Sequence, residues 1–133
     1  KKEFIINQDQ NSNPLNITKS IEIVYGLRNF IGNANKFSKN KIFINIKSDS
    51  DLTEVMIEDD GEGYPKDVLS KIGEPYIKSV KSSIKSKSGL GLGIFIGKTL
   101  LEKNYANILC RNSQTRSGAE VSIKWKNKDL LKL

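Results

Sequence analysis

Three groups of residues in this chain have the types and spacing for chemistry on a flat, anionic ligand. Asn29, Asn33 and Lys36 follow i, i+4, i+7, so on a helix they share one narrow arc opposite Leu27 and Ile31. An asparagine amide oxygen can ligate Mg²⁺ without adding charge and leaves coordination positions for phosphate oxygens. A lysine one turn further on can meet a phosphate directly. The plain alternative is a solvated helix face in an asparagine-rich chain, although asparagine is a poor helix former. The second group is Asp59, Gly61 and Gly63 at the end of a strand. Its carboxylate could accept a hydrogen bond from an exocyclic amine while the glycines let backbone approach a flat ring closely. A tight turn capped by aspartates is the bland reading, and the spacing and terminal glutamate of a calcium-binding EF-hand are missing. The third group, Gly89, Gly91 and Gly93, precedes a helix, where bare amides and the helix N-terminus make an anion site. A flexible hinge is its alternative.

Other chemistries are excluded by composition. The chain has no histidine, so imidazole acid–base work, a Ser-His-Asp triad and His-ligated metals cannot arise within it. Its one cysteine, Cys110, permits no internal disulfide and no cysteine-based zinc site, and reads as a core residue in a strand rather than a redox sensor. A reducing compartment follows. The dinucleotide pattern G-x-G-x-x-G fails at Ile94, and Gly97-Lys98-Thr99 lacks the P-loop glycine, which would fall on Leu92.

The elements that must position these residues are legible from periodicity. Residues 2–7 read as a short edge strand. Ile17, Ile21, Val24, Leu27, Ile31 and Ala34 recur at intervals of three and four, predicting an amphipathic helix to about Phe37, capped by Thr18 or Ser20. Ile42, Ile44 and Ile46, then Val55 and Ile57, alternate with polar residues around a turn at 48–51, which predicts a hairpin. A short helix is expected over 67–71. Residues 73–88, rich in serine and lysine, predict a long solvated loop that acts as a lid. A helix over 94–103 and two further strands, 107–111 and 119–125, complete the chain. This order favours an α/β sandwich, a mixed sheet covered on one face by helices.

The 133 residues suit one domain over 1–133, with 37% hydrophobic and 28% charged residues and no apolar run long enough to span a bilayer. The net charge of +7 points to an anionic partner. Only three of the 22 cations are arginine, the residue best suited to phosphate and base forks, and the lysine, isoleucine and asparagine bias fits an AT-rich coding genome. A basic nucleic-acid-binding domain is therefore the weaker alternative.

The ordered combination resembles the nucleotide-binding domain shared by sensor histidine kinases, type II topoisomerases, the Hsp90 chaperones and MutL. Residues 27–38 look like its N box, 59–63 its G1 box and 89–93 its G2 box; Glu74-Pro75-Tyr76 is similar to the kinase F box, and Gly118-Ala119 to the final glycine motif. The wording Ile72-Gly73-Glu74-Pro75-Tyr76 and Ile23-Val24-Tyr25-Gly26-Leu27 resembles the redox-responding sensor kinases of α-proteobacteria. The resemblance implies a two-layer α/β sandwich of the Bergerat type that binds ATP and Mg²⁺. It implies Asn33 as metal ligand, Asn29 and Lys36 as catalytic phosphate contacts, and Asp59 as acceptor from adenine N6. Gly61, Gly63, Tyr76, Gly89, Leu90, Gly91, Leu92 and Gly93 would complete the nucleotide site. Relatives that hydrolyse ATP carry a glutamate base where this chain has Asn29, and an amide cannot take a proton from water. Phosphoryl transfer to an external histidine is therefore the expectation, with the acceptor on a helical domain of the same full-length protein, a response regulator downstream and a homodimeric intact protein. The isolated domain would be a monomer in the cytoplasm, belonging to a sensor protein that is either soluble or anchored in the inner membrane. A non-catalytic ATP-sensing module is the alternative within the same fold.

Overall fold

The computed structural model describes residues 2–9, 20–71 and 90–132. Along it run β1 (Glu3–Gln8), α1 (Ile21–Phe37), β2 (Lys41–Ser48), β3 (Leu52–Asp59), α2 (Lys66–Lys71), α3 (Leu90–Lys103), β4 (Asn107–Asn112), β5 (Ala119–Lys126) and the one-turn α4 (Asn127–Leu130). The strands form one sheet in the order β1-β2-β3-β5-β4, with β1 parallel to β2 and every other pair antiparallel. This is the mixed sheet that the order of elements in the sequence predicts. Its parallel edge arises because α1 carries the chain back between β1 and β2.

Register decides which face is dry. Ile42 sits opposite Asp59, Ile44 opposite Ile57 and Ile57 opposite Val121, so alternate residues of β2, β3 and β5 share the face that the helices cover. Ile42, Ile57, Val121 and Ile123 are buried there together with Phe30 of α1 and Ile94 and Leu101 of α3. Asp59 therefore ends β3 on the dry face. Ser20 caps α1, its hydroxyl accepting the Ile23 N–H at 3.3 Å. Asp49 Oδ1 accepts the Asp51 and Leu52 N–H groups, both at 2.8 Å, and so turns β2 into β3.

One expectation shifts. The second long helix begins at Leu90 rather than Ile94, so Gly91 and Gly93 lie inside its first turns instead of in the loop before it. The reason is that apolar periodicity cannot register a start made of glycines. The proposed cap Thr18, the lid over 73–88, Tyr76 and Gly89 lie outside the described residues, as does everything about the side chains of Leu90, Gly91 and Leu92. Among the described residues no helix is long and apolar enough to cross a membrane.

Candidate functional site

The open ends of α1 and β3 meet over a cleft of about 610 Å³. Phe30, Asn33, Ala34, Lys36 and Phe37 line it from the helix, Asp59, Glu62, Gly63 and Tyr64 from the strand end and its loop, and Ala119 and Val121 from β5. Asn33, Lys36, Asp59 and Gly63 thus come together although up to 30 residues of chain separate them.

Asp59 is the buried charge of this cleft, only 3% exposed. Its Oδ1 accepts the Gly61 N–H at 2.8 Å and the Ala119 N–H at 3.3 Å. Among the described residues no hydrogen bond engages Oδ2. Burial pushes the carboxyl above its ordinary value, against the pull of those two N–H groups. The arrangement requires β5 to begin almost in contact with β3: a Cβ on Gly118 would collide with the Asp59 carbonyl and carboxylate. That contact is the physical reason for glycine in Gly118-Ala119. Gly61 is not in the cleft wall, but its N–H holds Asp59 and its Cα faces the Phe37 carbonyl too closely for any side chain.

Asn33 stands on the opposite wall. Its Nδ2 is buried with no hydrogen-bond partner among the described residues. Gly93 of α3 lies against the same amide, and a Cβ there would stand 3.1 Å from Oδ1. A buried amide left unpaired costs about 1–3 kcal/mol, so an orphaned polar group facing a cleft fits a site completed by a ligand. An amide oxygen is also the neutral donor that Mg²⁺ beside phosphates favours, so this donor set is compatible with that ion. Asn29 behaves differently: its Nδ2 donates to the Tyr25 carbonyl of its own helix at 2.8 Å, and it is not in the cleft wall.

Sequence reasoning missed several cleft residues. Lys39 adds a second cation beside Lys36, and Phe30, Phe37 and Tyr64 supply aromatic surface. In the sequence Asp60 is only one residue of a glycine turn, yet its carboxylate accepts the N–H groups of Lys39 at 2.8 Å, Asn40 at 3.1 Å and Lys41 at 3.1 Å. Burial alone would raise Asp60, but these bonds outweigh it and hold the carboxyl below its ordinary value. Lys2 reinforces the same corner from just before β1, donating to the carbonyls of Asn35 (2.9 Å) and Ser38 and to the Ser38 hydroxyl (2.9 Å) at the α1 C-terminus. Two consecutive aspartates in a glycine turn were the available signal.

A two-layer sandwich that brings an asparagine-bearing helix and a buried strand-end carboxylate to one cleft, with a glycine-started helix packed against that asparagine, defines the ATPase class that the motifs resemble. The chain belongs to the family described as histidine kinase-, DNA gyrase B- and HSP90-like ATPase, whose model matches residues 18–129. Among curated proteins it is 34% identical over 125 residues to the sensor histidine kinase RegB of Cereibacter sphaeroides, covering 82% of this chain and 27% of that one. It is 29% identical over 99 residues to the sensor protein kinase PilS of Pseudomonas aeruginosa, covering 69% of this chain and 18% of that one. The chain thus spans about a quarter or less of the length of these relatives. Among solved structures, the catalytic domain of histidine kinase ThkA superposes with a TM-score of 0.72 at 21% identity, covering 94% of this chain and 80% of that one. The mycobacterial sensor histidine kinase MprB gives a TM-score of 0.66 at 20% identity, covering 93% and 80%. These likenesses establish the shared sandwich fold.

Proposed function

We propose that this chain is the ATP- and Mg²⁺-binding catalytic domain of a sensor histidine kinase, one domain over 1–133 that supplies the γ-phosphoryl group to a histidine elsewhere in the full-length protein. The observation that carries the reading is Asp59: a buried carboxylate whose Oδ1 is committed to Gly61 and Ala119, leaving its other oxygen as an acceptor at the wall of a cleft of about 610 Å³. An exocyclic amine of a purine is the donor such an acceptor selects. Phe30, Phe37 and Tyr64 offer apolar surface for the base, and Lys36 and Lys39 offer positive charge for the phosphates.

Asn33 would hold Mg²⁺, which when bound neutralises charge on the phosphates. The chain's own residues bind and orient the nucleotide; positioning and charge neutralisation are the main contributions a protein makes to phosphoryl transfer. Asn29 occupies the place of a general base but is an amide already donating to its own helix, which favours transfer to an external nucleophile over hydrolysis. With no histidine in the chain, the acceptor sits on a separate helical domain, paired in a homodimer and read by a response regulator. ATP supply places this domain on the cytoplasmic side of any membrane that its full-length protein is anchored in.

Calorimetric titration with ATP, with and without Mg²⁺, tests the reading. Wild type binds, Asp59→Asn loses affinity, and Asn33→Ala binds without responding to Mg²⁺. Phosphate from labelled ATP should then appear on a histidine of the supplied helical domain. ATP binding without any such transfer would turn the reading to a sensing module, and no ATP binding would end both.

A further inference from the structure

We infer that Tyr64 is a specificity-determining wall of the cleft and that Asn112 and Cys110 of β4 are positioning residues that fix it; the inference rests on the nucleotide-binding reading above. Tyr64 follows the glycine turn and lines the cleft together with Asp59, yet its side chain is only 6% exposed. It is held from one side by a single strand. Asn112 Oδ1 accepts the Tyr64 N–H at 2.6 Å, and Asn112 Nδ2 donates to the Tyr64 carbonyl at 3.1 Å. One side-chain amide therefore satisfies both backbone groups of Tyr64 as a neighbouring strand would. Two residues earlier, on the same face of β4, the Cys110 thiol interacts electrostatically with the Tyr64 phenol.

The turn before Tyr64 is shaped by the same contact. Gly63 has φ +85°, and a Cβ there would stand 2.7 Å from Asn112 Oδ1, so the Asn112 amide fills the niche that the missing side chain leaves. Backbone rotation at Tyr64 would break two hydrogen bonds, and rotation of the ring would move the phenol away from the Cys110 thiol. Tyr64 is thus held at its backbone by Asn112 and met at its phenol by Cys110, neither of which lines the cleft among the described residues.

The electrostatics suit a passive wall. Burial pushes the Tyr64 phenol well above its ordinary value and the Cys110 thiol up to about 11, so both stay protonated at neutral pH. The pair adds no charge beside Asp59, and the cleft's discrimination on this side becomes one of shape. A thiol held this way is a poor nucleophile, which gives Cys110 a structural reason for being in the chain that is independent of redox chemistry.

The test compares ATP with ATP carrying a benzyl group on its exocyclic amine, by calorimetric titration of wild type, Tyr64→Val, Cys110→Ala, Cys110→Ser and Asn112→Ala. Wild type should bind ATP and reject the enlarged analogue. Tyr64→Val should shift the ratio of the two affinities at least tenfold toward the analogue. Cys110→Ala and Asn112→Ala should shift it in the same direction by less, with Cys110→Ser, which keeps an acceptor, restoring the wild-type ratio. A structural role alone would weaken both ligands equally and leave the ratio fixed. An unchanged ratio in Tyr64→Val, or in Cys110→Ala and Asn112→Ala should Tyr64→Val fail to fold, would overturn the inference while ATP binding stands. Failure of wild type to bind ATP would overturn the nucleotide reading itself, and the inference with it.

Discussion

At the scale of single residues, Asp59 sets function against stability. Its folded carboxyl lies above its ordinary value, so the folded protein holds that proton to a higher pH than the unfolded chain does. Between the unfolded value, about 3.9, and the raised folded one, stability falls as pH rises. At neutral pH the charge is therefore a burden on the fold that the Gly61 and Ala119 N–H groups offset in part and a ligand donor would offset further. Asp59→Asn should keep an Oδ1 for Gly61 and Ala119, melt at the same or a higher temperature, and bind ATP about 10- to 100-fold more weakly, the range expected for a lost hydrogen bond to a charged group. Thermal melts beside titrations check this, and a variant that both melts lower and binds as wild type refutes it. Asp59 and Asn33 were legible in the sequence because each chemistry demands one residue type at a fixed offset. Tyr64 and Asn112 were not, since their partnership spans 48 residues and exists only through strand pairing.

At the scale of elements, the corner between α1 and β2 decides whether the cleft's two walls keep their spacing. Asp60 gathers three backbone N–H groups there, and Lys2 covers the preceding carbonyls. Because its folded carboxyl is lowered, Asp60 contributes stability above its unfolded value that is lost as pH falls through the folded one. Asp60→Ala should consequently lower the melting temperature at pH 7, flatten the acid limb of the stability profile below about pH 4 and weaken ATP binding by loosening Lys39. Denaturation at several pH values separates the first two effects, and an acid limb identical to wild type would refute the assignment. The helices and hairpins around this corner were readable from apolar spacing, and the G1 loop from its glycines. The parallel pairing of β1 was unreadable because a six-residue strand at an edge carries no record of its neighbour. The start of α3 was hidden for the opposite reason: glycines signal a loop by propensity, and tertiary packing overrules them.

At the scale of the whole molecule, the described helices cover one face of the sheet. The other is built from polar pairs: Arg111 with Glu120 at 2.5 Å, Arg116 with Glu58 at 3.6 Å, and Ser122 donating to Glu54 at 2.7 Å. Glu58 and Glu120 face each other across β3 and β5, an arrangement that like charge disfavours and that these two arginines neutralise. Two of the chain's three arginines are spent on this face, and among the described residues lining the cleft the cations are Lys36 and Lys39, whose point charges salt screens readily. Binding should accordingly show in global stability and in its salt dependence together. At ATP concentrations about 100-fold above the dissociation constant, mass action adds roughly 2.7 kcal/mol to the folded state. For a domain of this size that is a rise of roughly 8–12 °C in melting temperature. The rise should shrink as NaCl is increased from 50 to 500 mM, fall in Asp59→Asn at the same ATP concentration to the roughly 0.4–1.4 kcal/mol that 10- to 100-fold weaker binding leaves, and be absent with GTP, whose base presents a carbonyl where adenine presents its amine. An equal rise with GTP would show that the phosphates alone are recognised and that Asp59 reads nothing of the base.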